Sequence, residues 1–188
     1  MNAAPTQTQS TFDGSFTNSQ QESFWLTKHS DGSVTEEKME RNLYFVPPTQ
    51  ALCRLRLLRF STTFEIPKAA EYGGGMQTML RLELRLVGGP GDGRNISPMV
   101  SATIGPKSKL GQIIRAALKR NLGPGEQFNL YSICHYNDKD NPTHDFVAML
   151  QPSDKRDEQT GKPLHTQIVD KTITEVVEAS ADDDGWQN

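Results

Sequence analysis

Arginine side chains on two stretches of alternating hydrophobicity are the residues best placed to do chemistry in this sequence. Arg54 and Arg56 alternate with leucines, Arg59 follows them, and Arg81 and Arg85 repeat the pattern further along the chain. Guanidinium groups pair with phosphate oxygens through charge-assisted hydrogen bonds. If the two stretches are neighbouring strands, their arginines form one surface suited to a polyanion. The alternative is a solvated strand face on which Glu83 pairs with Arg81 or Arg85.

Aromatic residues beside the arginines could supply the second element of nucleic-acid binding. A nucleobase stacked on an aromatic ring contributes about 1–3 kcal/mol. Tyr72 lies among glycines in a predicted turn and is the favoured stacking residue, whereas Phe64 is expected to be in the core. Phe60 stays open between the two roles. The residues expected to contact nucleic acid are Arg54, Arg56, Arg59, Phe60, Tyr72, Arg81, Arg85, Arg94, Lys107 and Lys109.

Hydrophobic periodicity predicts the strands and the helix that carry these residues. The predicted strands are 51–66, 77–87, 94–104, 128–136 and 144–151. Within the first of them, the apolar residues change from odd-numbered to even-numbered positions, so a bulge is expected near Leu58. A helix is predicted between the third and fourth strands, with Pro106 at its first position and apolar residues at helical spacing as far as Leu118. Residues 164–177 are expected to add a strand or a short helix.

This order of elements predicts a mainly β protein with one helix. Three strands, a helix and two strands (β-β-β-α-β-β) are typical of a five-stranded OB-fold-like barrel, assigned here to residues 43–177. Residues 1–42 are predicted to be a flexible, mostly disordered arm because their first half is polar and poor in aliphatic residues. An apolar island at Phe24, Trp25 and Leu26 could dock on the domain. Residues 178–188 form an acidic tail.

The net charge of −3 conceals three blocks of opposite sign. Residues 1–49 carry three basic and six acidic residues, and residues 121–188 carry five basic and thirteen acidic residues. Between them, residues 50–120 carry twelve basic residues against four acids, a net charge of +8. A basic block of this length indicates a polyanionic partner, and the acidic end indicates a solvated tail or a site for basic proteins.

Several classes of protein are not expected from this sequence. No apolar run approaches the roughly 18 residues that a membrane-spanning helix needs, and the first ten residues do not look like a secretory signal. The two cysteines, Cys53 and Cys134, do not form a disulfide scaffold or a CxxC zinc site. No phosphate-binding loop or nucleophile elbow is present, so we expect no enzyme and no cofactor. We expect a cytoplasmic protein without a metal, the minor alternative being a metal site at His135, His144 and Asp145.

The middle of the chain resembles phage-associated single-stranded DNA-binding proteins. The resemblance lies in the run Leu82-Glu83-Leu84-Arg85-Leu86, the glycine loop that leads to Gly93-Arg94-Asn95-Ile96, and the segment from Lys107 to Leu118. The tail is similar in kind to that of bacterial single-stranded DNA-binding proteins, although it closes on Gln187-Asn188 rather than on an apolar dipeptide. The resemblance implies a non-catalytic protein of DNA replication or recombination. It also implies contacts with replication proteins through Asp182, Asp183, Asp184 and Trp186.

Two other functions remain open at this point. The chain could be a structural or assembly protein of a virion or another particle, its charged blocks joining successive copies. Less expected is a nuclease accessory subunit. The sequence does not decide between DNA and RNA as the partner, and it leaves self-association open.

Overall fold

The computed structural model describes residues 24–29, 31–39, 44–123 and 143–177. These residues form ten antiparallel strands, one α-helix and a short 3-10 helix at Ala70–Tyr72. The strands are β1 Phe24–Lys28, β2 Val34–Lys38, β3 Ala51–Ser61, β4 Phe64–Pro67, β5 Met76–Leu86, β6 Asn95–Ile96, β7 Met99–Ser101, β8 Asp145–Pro152, β9 Thr166–Ile168 and β10 Thr174–Glu175. Helix α1 is Lys109–Leu118. The prediction of a mainly β protein with one helix is confirmed for these ranges.

The strands form an open antiparallel sheet around β3. Its main path runs β10-β8-β3-β1-β2, and β5 pairs with the other side of β3 and with β4, β6 and β7. The predicted strand 94–104 is divided into β6 and β7, with Pro98 between them. Proline has no backbone N–H to donate, and the Pro98 carbonyl instead accepts a bond from Leu82 N–H at 3.0 Å.

Strand β3 contains the predicted bulge, at which the register of its pairing with β5 shifts by one residue. Leu57 pairs with Leu84 and Arg59 with Glu83, so the register shifts between Leu57 and Arg59. Without the shift, strand alternation would place Arg59 on the face of Leu57. The extra residue keeps Leu57 and Phe60 on one face of the sheet and the arginines on the other.

The apolar face of the sheet and helix α1 enclose the core. The leucines of β5 alternate as predicted, and the side chains of Leu80, Leu82, Leu84 and Leu86 are all buried. From α1, Leu110, Ile113 and Ile114 pack into the same cluster, and β8 contributes Phe146, Ala148 and Leu150. This arrangement covers one face of the sheet, so the opposite face is the one left to carry polar residues.

The β1–β2 hairpin lies within the range assigned above to the flexible arm, and the structure makes it part of the sheet. Trp25 and Leu26 pair with Ser61 and Phe60 of β3. Trp25 and Leu26 are buried, as expected of an apolar island that docks on the domain. The predictions for residues 1–23, for a strand at 128–136 and for the tail at 178–188 concern residues outside the described ranges.

Helix α1 begins three residues later than Pro106, the start that the sequence suggested. Its N-cap is Ser108, whose Oγ accepts the Gly111 N–H at 3.0 Å and the Gly105 N–H at 2.9 Å. A serine hydroxyl satisfies an N–H group that has no partner within the first helical turn. Capping by Ser108 therefore sets the helix start, and Pro106 lies in the turn before it.

Replacing Gly111 with alanine is expected to destabilise the protein by about 3 kcal/mol, although alanine is normally the better helix former. A Cβ at Gly111 would lie 2.0 Å from the Gly105 carbonyl oxygen and 2.8 Å from its carbon, so backbone would have to move. Urea denaturation measures the free energy of unfolding. The matched control is Gly105→Ala, whose Cβ would meet nothing within 4 Å. Equal losses in the two variants would contradict this account of the helix start.

Candidate nucleic-acid interface

Three arginines lie side by side on the open face of the sheet, at one end of β3 and β5. Arg56 pairs directly with Arg85 of β5, and Arg54 lies two residues before it on β3. Paired residues and residues two apart share a face of a sheet. We call this surface the arginine face, and define it by Arg54, Arg56, Arg85, Asn95 and Asp145. The pairing of the two arginine strands, which the sequence leaves open, is present in the structure.

Asp145 holds two of these arginines in place. It pairs with Arg56 across the β3–β8 register, and its carboxylate accepts bonds from Arg54 Nε at 2.9 Å and Arg56 Nε at 2.8 Å. Burial alone would raise the pKa of Asp145, but the hydrogen bonds from Arg56 and Arg54 lower it below its usual value. The carboxylate is therefore ionised and neutralises only one of the two guanidinium charges.

Arg85 has a neutral partner. Its Nε donates to the side-chain oxygen of Asn95, its cross-strand neighbour on β6, at 3.1 Å. Three guanidinium groups thus share the arginine face with one carboxylate, which gives the face a net charge of +2. Arg54 and Arg56 keep 42% and 35% of their side chains exposed, so their remaining N–H groups can reach a ligand.

Arg59 shares this side of the sheet but not the exposed surface. It is 4% exposed, bonded to Glu83 on β5 and paired with Glu37 of β2 at 2.7 Å. Its guanidinium carbon lies 5.3 Å from the centroid of the Trp25 ring, so the N-terminal hairpin covers it. The prediction that Arg59 contacts nucleic acid is therefore wrong. The alternation of residues along a strand indicates on which face of the sheet a side chain lies, but not whether another segment covers that face.

Further bonds hold Glu83 on its other side. The Tyr44 hydroxyl and the Asn95 amide both donate to its Oε1 at 3.2 Å. Burial and the neighbouring Glu83 raise the pKa of Tyr44, so the phenol stays protonated and able to donate. Asn95 therefore links the buried network at Glu83 to Arg85 of the arginine face.

The predicted aromatic residues have different positions. Phe60 is 1% exposed and belongs to the core, so its proposed stacking role is wrong. Phe64 is only partly buried, with the Arg81 guanidinium carbon 6.0 Å from its ring centroid, whereas the sequence placed it in the core. Tyr72 is 67% exposed, in the turn between β4 and β5 beside a cavity of about 430 Å³ lined by Pro67, Lys68 and Gln77. It is available for stacking.

The other predicted cations are dispersed. Arg81 is half-buried and donates to the Ser97 carbonyl at 3.3 Å, away from the arginine face. Arg94 is exposed, and its guanidinium carbon lies 4.5 Å from the centroid of the Phe45 ring. Lys107 and Lys109 lie at the start of α1, which covers the opposite face of the sheet. The arginine face therefore contains Arg54, Arg56 and Arg85 of the ten predicted residues.

The structure does not describe the tail residues Asp182, Asp183, Asp184 and Trp186, nor His135 of the alternative metal site. In the described ranges, no group of three or more histidine, cysteine or acidic side chains is arranged to hold a metal ion. Asp145, the acid proposed for that site, is bonded to Arg54 and Arg56.

Within the described residues, α1 is far too short to cross a membrane, and no other helix is long and apolar enough.

His165 is expected to make stability fall as the solution becomes more acidic. Burial, together with repulsion from Arg81 and Lys155, lowers the pKa of His165 below its usual value of 6.5. Below about pH 6.5 the unfolded chain therefore binds more protons at this position than the fold does, and unfolding is favoured. His165→Gln should reduce the loss of free energy of unfolding between about pH 7 and pH 5.5. An unchanged loss in urea denaturation would contradict this.

Two features of the arginine face were not anticipated from the sequence. The sequence suggests Asp145 only as a ligand of the alternative metal site, and its place at the start of a predicted strand is the available sign of a cross-strand partner. Apolar side chains extend the face: Leu52 pairs with Met149, and Arg54 with Val147. Leu52 is 64% exposed, whereas Val147 and Met149 are half-buried. Cations and apolar surface therefore lie side by side.

Comparisons with known proteins do not identify this arrangement. No protein-family model, no curated protein and no solved structure matches the chain. The geometry of the described residues is thus the ground on which a function is proposed.

Proposed function

We propose that this chain is a non-catalytic single-stranded DNA-binding protein of DNA replication or recombination, and that it holds the strand on the arginine face. The observation that carries the proposal is the row of Arg54, Arg56 and Arg85, which three strands place together with a single acid. A net charge of +2 on an open sheet face favours a polyanion.

Asp145 prearranges Arg54 and Arg56 for contact with phosphate. A guanidinium has five N–H groups, and the contacts with Asp145 use two on Arg54 and two on Arg56. The remaining donors are held on side chains whose geometry is already fixed. Less conformational entropy is lost on binding when the donors are preorganised, so these arginines suit a phosphate backbone better than mobile surface lysines do.

The apolar part of the face supplies a preference for single strands. In a duplex, the base faces are stacked on one another and unavailable to the protein. In a single strand they can pack against Leu52, Val147 and Met149 next to the arginines. Tyr72 offers a stacking surface away from the face, at the β4–β5 turn. Neither contact reads a base edge, so weak sequence preference is expected.

We also propose that the chain folds as an OB-fold-like barrel. A five-stranded OB-fold-like barrel would be completed by a strand at 128–136, outside the described residues. Support comes from the antiparallel strands β3, β5 and β7, which precede the one described helix, and from β8, which follows it. The acidic tail, with Asp182, Asp183, Asp184 and Trp186, is proposed to contact replication proteins.

A fluorescence-anisotropy titration with labelled single-stranded and duplex oligonucleotides tests the function. We expect the single strand to bind more tightly than the duplex, and to lose affinity steeply between about 50 and 200 mM salt because bound cations release counterions. A single-stranded RNA oligonucleotide tests the alternative partner. Binding to no nucleic acid at low salt would overturn the proposal. Large, salt-sensitive oligomers in light scattering would then favour a particle-assembly protein.

A further inference from the structure

A basic cavity lies at the start of α1, outside the arginine face. Its volume is about 470 Å³, and its lining includes Lys107, Lys109, Gln112, Asp170, Lys171 and Ile173. Ligand pockets in proteins have volumes of roughly 300–1,000 Å³, so the space is sufficient for a nucleotide-sized group.

The lysines of this cavity are not equivalent. Lys109 Nζ pairs with Asp170 at 2.9 Å and donates to the Ile168 carbonyl at 2.7 Å, so its charge is neutralised and its position fixed. Among the described residues, no ion pair joins Lys107 or Lys171 to an acid. The three lysines and Asp170 therefore leave a net charge of +2, which Lys107 and Lys171 carry.

Lys171 has an unusual backbone conformation for a lysine. Its φ is +62°, in the left-handed region that glycine and asparagine adopt at lower cost. Lys119 also has a positive φ, but it caps the C-terminus of α1, where a cation interacts favourably with the helix dipole. No helix end accounts for a lysine at position 171.

Strand register connects the cavity with the arginine face. Arg54 pairs with Val147 on β8, and Val147 pairs with Thr174 on the edge strand β10. Two strand spacings, about 10 Å, therefore separate Arg54 from Thr174. Thr174 directly follows Ile173, which lines the cavity. A single DNA strand that lies across the arginine face toward β10 would reach the cavity by passing around the edge of the sheet at β10.

We infer that the basic cavity binds phosphate groups of the same single-stranded DNA, as the strand leaves the arginine face around β10. The inference rests on the proposed function and adds a second contact site to it. It predicts that oligonucleotides long enough to pass the edge bind more tightly than short ones, through Lys107 and Lys171.

The test uses the full chain carrying Lys107→Gln and Lys171→Gln, which leaves the Lys109–Asp170 pair intact. Affinity is measured for thymidine oligonucleotides of about 4 nucleotides, whose three phosphates match the three arginines, and of about 30 nucleotides. We expect unchanged affinity for the short one, about tenfold weaker binding of the long one, and a salt slope lower by about 1.4 for two lost contacts. The matched control removes two exposed lysines elsewhere, Lys119→Gln and Lys162→Gln, and should affect neither oligonucleotide selectively.

Each outcome separates this inference from the proposed function. An unchanged affinity for the long oligonucleotide, or equal losses for both lengths, would overturn the cavity site and leave the arginine face standing. No binding by the unmodified protein would overturn both. Asp182→Asn, Asp183→Asn and Asp184→Asn, introduced together in the full chain, test the acidic tail as a rival occupant. If the tail variant binds the long oligonucleotide equally well with and without Lys107 and Lys171, the cavity serves the tail rather than DNA, and the inference is wrong.

Discussion

Replacing Arg54, Arg56 and Arg85 together with glutamine is expected to weaken binding of single-stranded DNA about 100-fold at low salt. Each exposed charged contact is taken as about 1 kcal/mol, so three contribute about 3 kcal/mol. The slope of log affinity against log salt should fall by about 2, because three phosphates are no longer neutralised. Anisotropy titrations at several salt concentrations measure both quantities.

Two controls keep this result interpretable. Glutamine at Arg54 and Arg56 leaves the buried Asp145 carboxylate without its partners, and an unpaired buried charge can destabilise the fold. Arg85→Gln alone avoids this, since its partner Asn95 is neutral, and it should weaken binding about fivefold without changing stability. Removing three exposed cations elsewhere, at Lys119, Arg120 and Lys162, matches the loss of charge. Equal losses in the matched variant would indicate general attraction rather than a defined face.

Replacing Glu83 with glutamine is expected to destabilise the protein by about 3–5 kcal/mol, because it leaves the buried Arg59 charge poorly compensated. Glu83 and Arg59 are 3% and 4% exposed, and Glu83 also accepts bonds from Tyr44 and Asn95. Glutamine keeps the shape and one acceptor oxygen, but its NH2 group cannot accept, so the loss combines the missing charge with a missing hydrogen bond. Urea denaturation followed by circular dichroism measures the free energy of unfolding.

Glu37 provides the matched control on the same arginine. It bonds Arg59 at 2.7 Å but is 66% exposed, and exposed ion pairs contribute about 0–1 kcal/mol. Glu37→Gln should therefore cost about 1 kcal/mol or less. A double variant, Arg59→Met with Glu83→Leu, should recover much of the stability, since apolar residues can replace a buried ion pair. Equal losses for Glu37→Gln and Glu83→Gln would contradict the account.

Local patterns made the central strands predictable. The leucines of β5 alternate without interruption, and the change of parity in β3 indicated the bulge that the register shows between Leu57 and Arg59. Both features depend on residues close together in sequence, where a period of two assigns each side chain to a face. The register then paired Arg56 with Arg85, as the arginine surface required.

Long-range contacts could not be predicted in this way. Arg59 is removed from the surface by Trp25 and Glu37, which are 34 and 22 positions earlier in the chain and reach it through the pairing of β1 with β3. Asp145 lies 89 positions after Arg56, and nothing in either local pattern joins them. The sequence therefore indicates which residues carry charge, while the order of the strands decides which of those charged side chains stay exposed.

Photocrosslinking of a thymidine oligonucleotide to the full chain, with the crosslinked residues located by mass spectrometry, shows which surface of the protein holds the strand. Binding on the arginine face predicts crosslinks on β3 and β8, close to Leu52, Arg54 and Val147. High salt should suppress these crosslinks, since phosphate contacts weaken as salt rises. Crosslinks confined to segments away from these strands would contradict the account.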